Sequence, residues 1–93
     1  MTSATMKAKI VRIRVERGKA GLFYATSPDL KGLLVGESTL EALDRAIPSA
    51  IADLFLACGV KVIVTKAEDG DDEYPPWIAI SAEVARRAMA TAG

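Results

Sequence analysis

The sequence predicts an α+β fold, a mainly antiparallel sheet with one long helix on one face, and three features predict it. Residues 7–18, KAKIVRIRVERG, alternate apolar with charged. From 40 to 55 the apolar residues recur at helical spacing, and at 60–66 the branched residues of VKVIVTK follow the helix. A period of two reads as a half-buried strand, and a period near 3.6 as a helix with one face on a core.

In the alternating stretch Val11, Ile13 and Val15 lie on one side and Arg12, Arg14 and Glu16 on the other, which predicts a first strand from residue 7. GKAG at 18–21 supplies turn residues, and LFYATS at 22–27 reads as the returning strand. Pro28 with Asp29, and then Gly32, break the chain before a short third strand at Leu33, Leu34 and Val35. Ser38 and Glu41 have the spacing of a capping box, in which each side chain satisfies the other's backbone donor. A helix is therefore predicted over 39–58, with Leu40, Leu43, Ile47, Ile51, Leu54 and Phe55 at helical spacing and Gly59 as a left-handed terminator. Pro48 falls inside it. An interior proline removes one hydrogen bond and crowds the Asp44 carbonyl, so the helix is expected to kink, with two shorter helices as the alternative. A fourth strand follows at 60–66, an acidic loop at 68–73, and a short fifth strand with Trp77, Ile78 and Ile80 after Pro75 and Pro76. Ser81 is placed to cap a last helix, AEVARRAMATA, whose apolar side includes Val84, Ala85, Ala88 and Met89. Residues 7–67 are thus the body of one domain, and 68–93 its acidic loop and strand-helix tail.

Ninety-three residues leave room for one domain. Hydrophobic residues are 51% of the chain, but sixteen of them are alanine and aromatics reach only 5%, so the core is lean and a partner surface is expected to complete it. Twelve Lys+Arg balance twelve Asp+Glu, which leaves no global basic field for nucleic acid. The absence of histidine removes the usual general base near neutral pH and the commonest zinc ligand. Cys58, the one cysteine, can form neither an intrachain disulfide nor a thiolate cluster, and a small core residue is its expected role. Neither a secretory signal nor a run approaching about 18 apolar residues is evident, so a cytoplasmic protein without a membrane span is expected.

The run Phe23-Tyr24-Ala25-Thr26-Ser27-Pro28-Asp29-Leu30-Lys31-Gly32-Leu33 resembles the signature of the HicB-like antitoxin superfamily, in which an aromatic strand leads into an Asp-x-Pro-Gly turn. Glu37-Ser38-Thr39-Leu40-Glu41-Ala42-Leu43 is similar to that family's Thr-x-Glu-Glu-Ala/Leu helix start. Ile47-Pro48 and Asp53-Leu54 look closest to a small branch of unknown function whose helix often carries Val-Pro-x-Leu. The resemblance covers residues 22–55 and implies a partial RNase-H-like fold without the nuclease's catalytic carboxylates. It implies a domain that caps a small RNA-cleaving toxin; in better-known members a separate carboxy-terminal domain often binds operator DNA. Lys31 stands where the family usually has proline, which leaves the turn less rigid, and the carboxy-terminal region is too short for an independent DNA-binding unit.

Hydrolysis of the RNase-H type needs several carboxylates converging on two metal ions. Ile10 to Val15 carries no acid, and Asp29, Glu37 and Asp53 are scattered over a turn, a strand end and a helix, where turn geometry, capping and solvation account for them. Asp69, Asp71 and Glu73 alternate like the start of an EF-hand, but Tyr74 takes the place of its sharp-turn glycine and Ile80 that of its bidentate glutamate. No metal or other cofactor is expected. Lys7, Lys9, Arg12, Arg14, Arg17 and Lys19 suit protection of an edge strand better than phosphate contact, and Arg86-Arg87 is a second weak phosphate candidate.

The expected function is that of a non-enzymatic, antitoxin-type interaction protein that masks a small, basic RNA-cleaving toxin. Its candidate contact residues are Glu68, Asp69, Asp71, Asp72 and Glu73, five carboxylates whose local field persists despite the zero net charge; a solvated loop is the plainer explanation of the same residues. Self-association is also expected, through Tyr74, Trp77, Ile78, Ile80, Val84 and Met89, an apolar segment with no evident sheet interior of its own. Trp77 equally suits a cap on the chain's own core. A stand-alone homo-oligomer with a scaffolding or ligand-binding role is the alternative, and a DNA-binding autoregulator formed by a swapped carboxy-terminal dimer is not favoured.

Overall fold

The computed structural model describes residues 8–67 and 75–86. The α+β class is as predicted. Two three-stranded antiparallel sheets flank one long helix, and the chain supplies them in the order β1 (Ala8–Val11), β2 (Arg14–Arg17), β3 (Phe23–Thr26), β4 (Leu34–Glu37), α1 (Leu40–Ala57), β5 (Val62–Lys66) and β6 (Trp77–Ser81). The first sheet has the order β1-β6-β5 and the second β2-β3-β4. Helix α1 packs against strands of both.

The first strand is not continuous, which corrects the expectation from its alternation. It stops at Val11 and resumes at Arg14, where its pairing partner changes from β6 to β3. At the break the Arg12 backbone N–H donates to Asp29 Oδ2 at 2.8 Å, so a side chain seventeen residues away replaces a ladder bond. The alternation runs through the break undisturbed: Val11 is buried, Ile13 and Val15 are half-buried, and Arg12, Arg14 and Glu16 are exposed.

Thr39, not Ser38, caps α1. Its backbone is extended, and its Oγ1 accepts the Ala42 N–H at 3.0 Å. The residue three places beyond the cap is then Ala42, which has no carboxylate to return the bond, so the expected Ser38–Glu41 box does not form. Pro48 lies within one helix spanning Leu40–Ala57, and the alternative of two helices is ruled out. The helix ends in a Schellman closure: Val60 N–H reaches the Phe55 carbonyl at 2.9 Å and Gly59 N–H the Leu56 carbonyl at 2.9 Å, with Gly59 at φ +83°. Cys58 is the C-cap and is exposed, contrary to its expected core role.

Leu43, Ile47, Ile51 and Phe55 form the buried face of α1. They meet Val11, Trp77 and Ala79 from the first sheet and Ala25 and Val35 from the second. Ala25 and Ala79 sit in the middle strand of each sheet and are fully buried, so small side chains there allow the helix to lie close to both. Leu40, expected on this face, is 44% exposed.

β6 is the largest departure. The sequence places it in a tail, but it lies between β1 and β5, paired with both from Trp77 to Ile80. Trp77, Ala79 and Ser81 are buried, while Ile78 and Ile80 face the other way and are half-buried. The segment therefore does have a sheet interior of its own, and Trp77 is one of its core residues, not an exposed anchor for a second copy. Residues 82–86 are helical after β6, and Val84 there is half-buried.

Candidate functional site

The strand break and the turn after β3 form one polar unit. Ser27 Oγ accepts the Asp29 N–H at 3.0 Å, which fixes the Asp29 side chain relative to its own backbone. Asp29 then receives the Arg12 guanidinium in fork geometry, Nε to Oδ2 and Nη2 to Oδ1, each at 2.8 Å, in addition to the Arg12 backbone N–H. The Arg12 side-chain bonds, followed by the backbone bond, hold the Asp29 carboxyl far below the usual carboxylate range, and Asp29 in turn raises the Arg12 guanidinium. Gly32, at φ +96°, completes the turn, and Leu33 N–H bonds to the Leu30 carbonyl at 3.2 Å. A carboxylate engaged in this way is committed to joining two sheets. Glu37 lies at the end of β4 and Asp53 is exposed on α1. Among the described residues no three Asp, Glu or Cys side chains come together in a group able to hold a metal ion.

A cleft of about 270 Å³ opens beside the first half of α1. Ile13, Val15, Leu43, Ile47 and Trp77 form its apolar wall, Leu40 stands at its rim, and Glu41, Asp44 and Lys66 supply its charges. β5 positions Lys66 opposite Trp77 on β6, so its Nζ lies 5.1 Å from the indole centroid and 2.8 Å from both Asp44 carboxylate oxygens. The side chains of Lys66 and Asp44 are 39% and 51% exposed, which makes this a solvated pair of modest worth. Among the described residues that line the cleft, Lys66 is neutralised by Asp44 and Glu41 leaves one net negative charge. Such a site can receive an apolar side chain that carries a cation beside it.

Glu68, Asp69, Asp71, Asp72, Glu73, Tyr74 and Met89 lie outside the described residues. Of the remaining residues expected at an interface, Trp77 is in the core, Ile78 and Ile80 face outward from the first sheet, and Val84 is half-buried. Sequence reasoning missed two arrangements, the Arg12–Asp29 junction and the Lys66–Asp44–Trp77 group. Ser27-Pro28-Asp29 marks a turn with a local hydrogen bond, but nothing in its spacing points to Arg12.

Fold and site together define a helix-on-sheet α+β domain whose best-organised polar group is structural and whose cleft is small and largely apolar. No family model, no curated protein and no solved structure matches this chain. No helix among the described residues is long and apolar enough to cross a membrane.

Proposed function

We propose that this chain is a non-catalytic, antitoxin-type interaction domain, acting in the cytoplasm, that binds and masks a small basic RNA-cleaving protein. The reading starts from the resemblance of residues 22–55 to HicB-like antitoxins. The observation that supports it best is the cleft beside α1, an apolar pocket with net negative charge at its mouth. A protein that grips RNA must be basic, so an apolar side chain on its surface has cations around it. Glu41 and the exposed Leu40 suit that combination, with charge steering the encounter and the apolar contact holding it. The acidic sequence at 68–73, which connects β5 to β6, adds negative charge to the same chain.

The test is a pull-down from the native host: a small basic protein is expected to co-purify, and its RNA cleavage is expected to be inhibited by this chain. Leu40→Asp is expected to weaken capture while the circular dichroism spectrum is retained. Replacing Asp69, Asp71 and Asp72 with asparagine is expected to slow association mainly at low salt. Metal-dependent RNA cleavage by the purified chain itself, abolished by Asp29→Asn or Glu37→Gln, would replace this reading with an enzymatic one.

A further inference from the structure

The cleft beside α1 follows from the split between the two sheets. The chain leaves the first sheet after Val11 and enters the second at Arg14. Trp77 and Lys66 line the cleft from the first sheet, Val15 from the second, Ile13 from the break itself, and Leu43 and Ile47 from the helix that packs on both. Leu43, Ile47 and Trp77 are also buried core residues, so core packing holds this wall in place before any ligand arrives. A volume of about 270 Å³ falls just below the roughly 300–1,000 Å³ of ligand pockets, which suits a single ring or a short chain. Water against an apolar wall finds few hydrogen-bond partners, so an apolar group displaces it favourably.

The charges at the mouth select the rest of the ligand. Lys66 Nζ is held by both Asp44 carboxylate oxygens at 2.8 Å and lies over the Trp77 ring. An anion could pair with Lys66 only by drawing it away from both. Glu41 also lines the cleft, is exposed, and pairs with no cation among the described residues. A cation therefore gains a partner at Glu41 without any existing bond being broken. Along the chain, Lys66 and Pro75, which both line the cleft, bracket the acidic sequence 68–73. Any field that sequence adds is negative as well.

We propose that the cleft is a binding site for a small organic cation, an apolar ring or short chain that carries one ammonium group. The apolar body lies against Ile13, Val15, Ile47 and Trp77, and the ammonium faces Glu41. Charge at an exposed mouth adds little affinity, so the wall supplies most of the binding and Glu41 the choice among ligands of one shape. The site goes beyond capture of a protein partner, because it needs only the free chain, and either can fail without the other.

Trp77 is the chain's only tryptophan and lines the cleft, so its fluorescence reports occupancy. Three probes share a phenyl ring on a short chain and differ in head group: phenylethylammonium, phenylethanol and phenylpropionate. They are titrated into the purified full chain at about 0.15 M salt, where distant charges are largely screened. The ammonium is expected to saturate at about millimolar concentration. It is expected to bind about fivefold more tightly than the alcohol, the size of one exposed ion pair, and the carboxylate is expected to bind most weakly. Glu41→Gln is expected to bring the ammonium within about twofold of the alcohol and to leave the alcohol's own affinity as it was. Methyl resonances of Val15 and Ile47 are expected to shift with the ammonium, which locates its ring. No saturable response to the ammonium in either measurement, equal affinity for ammonium and alcohol, or tightest binding of the carboxylate would each overturn the proposal. So would an ammonium preference that survives Glu41→Gln, or methyl shifts confined to other residues.

Discussion

In the second sheet the outward rows across β2, β3 and β4 run Arg14, Thr26, Leu34 and Glu16, Tyr24, Gly36, with Leu34 their one exposed aliphatic side chain, whereas the corresponding rows of the first sheet are nearly all isoleucine and alanine. The inner faces are alike, with a buried alanine at the middle of each central strand and the same helix above them. The sheets therefore share one solution for burying their cores and differ in how they meet water. The second is finished by its own side chains: charge on β2, and the Tyr24 ring lying between Gly18 and Gly36. The first is left apolar across its outer face. An interaction surface is best sought on the unfinished sheet.

The shared inner face is tested most severely at Ile51, which is fully buried in the helix. Ile51→Ala is expected to cost about 2–5 kcal/mol through lost burial and the cavity that remains. If one helix face holds both sheets, amide exchange should quicken together in β3 and β6. Acceleration confined to one sheet would break the comparison at its base.

The next test acts on the second sheet alone. Gly18 has φ −92°, a backbone that alanine adopts without strain, yet an added methyl carbon would stand 2.2 Å from Tyr24 Cε2. The ring lies over Gly36 on its other side, where the position a Cβ would take is 3.0 Å from it, so a shift in that direction brings it onto the Gly36 backbone. Gly18→Ala is expected to cost about 1–3 kcal/mol by overpacking. In a Tyr24→Ala background the same change should be nearly neutral, and a double-mutant cycle of thermal midpoints measures the difference.

What could be read beforehand follows the same division between local and distant causes. The alternation of Val11, Ile13 and Val15, the helical face from Leu43 to Phe55 and the Gly59 terminator are set by residues within a few positions of one another, and each is found in the structure. Sheet order is not a local property. Trp77-Ile78-Ala79-Ile80 has no polar residue on either side, which is how a central strand reads, but position near the end of the chain suggested a tail instead. The break at Arg12 depends on Asp29, and the cap falls on Thr39 because the chain enters the helix one residue later than Ser38 permits. Of the candidate cleft, only the apolar wall was legible, as the inward side of β2 and α1; its charges come together through tertiary contact between Asp44 and Lys66.

The mildest test concerns the junction between the sheets, where Asp29 holds the broken strand. Both side chains reach solvent, Arg12 at 67% exposure and Asp29 at 21%, so water and salt weaken their attraction. The sign of its pH dependence follows from the lowered Asp29 carboxyl. In the unfolded chain an aspartate titrates near about 3.9. Above that value Asp29 is ionised in both states, and its bonds to Arg12 contribute their full stability. As pH falls below it, the unfolded state takes up a proton that the folded state still refuses, and the contribution declines toward the folded pKa. Asp29→Asn keeps an oxygen for the Arg12 N–H but has no charge, so it lacks this contribution at every pH. Thermal midpoints of the two proteins should therefore differ most at neutral pH and draw steadily together as pH falls below about 4, with acid effects common to both cancelling in the difference. A gap that stays constant as the solution is acidified would show that the ionised carboxylate is not what joins the two sheets.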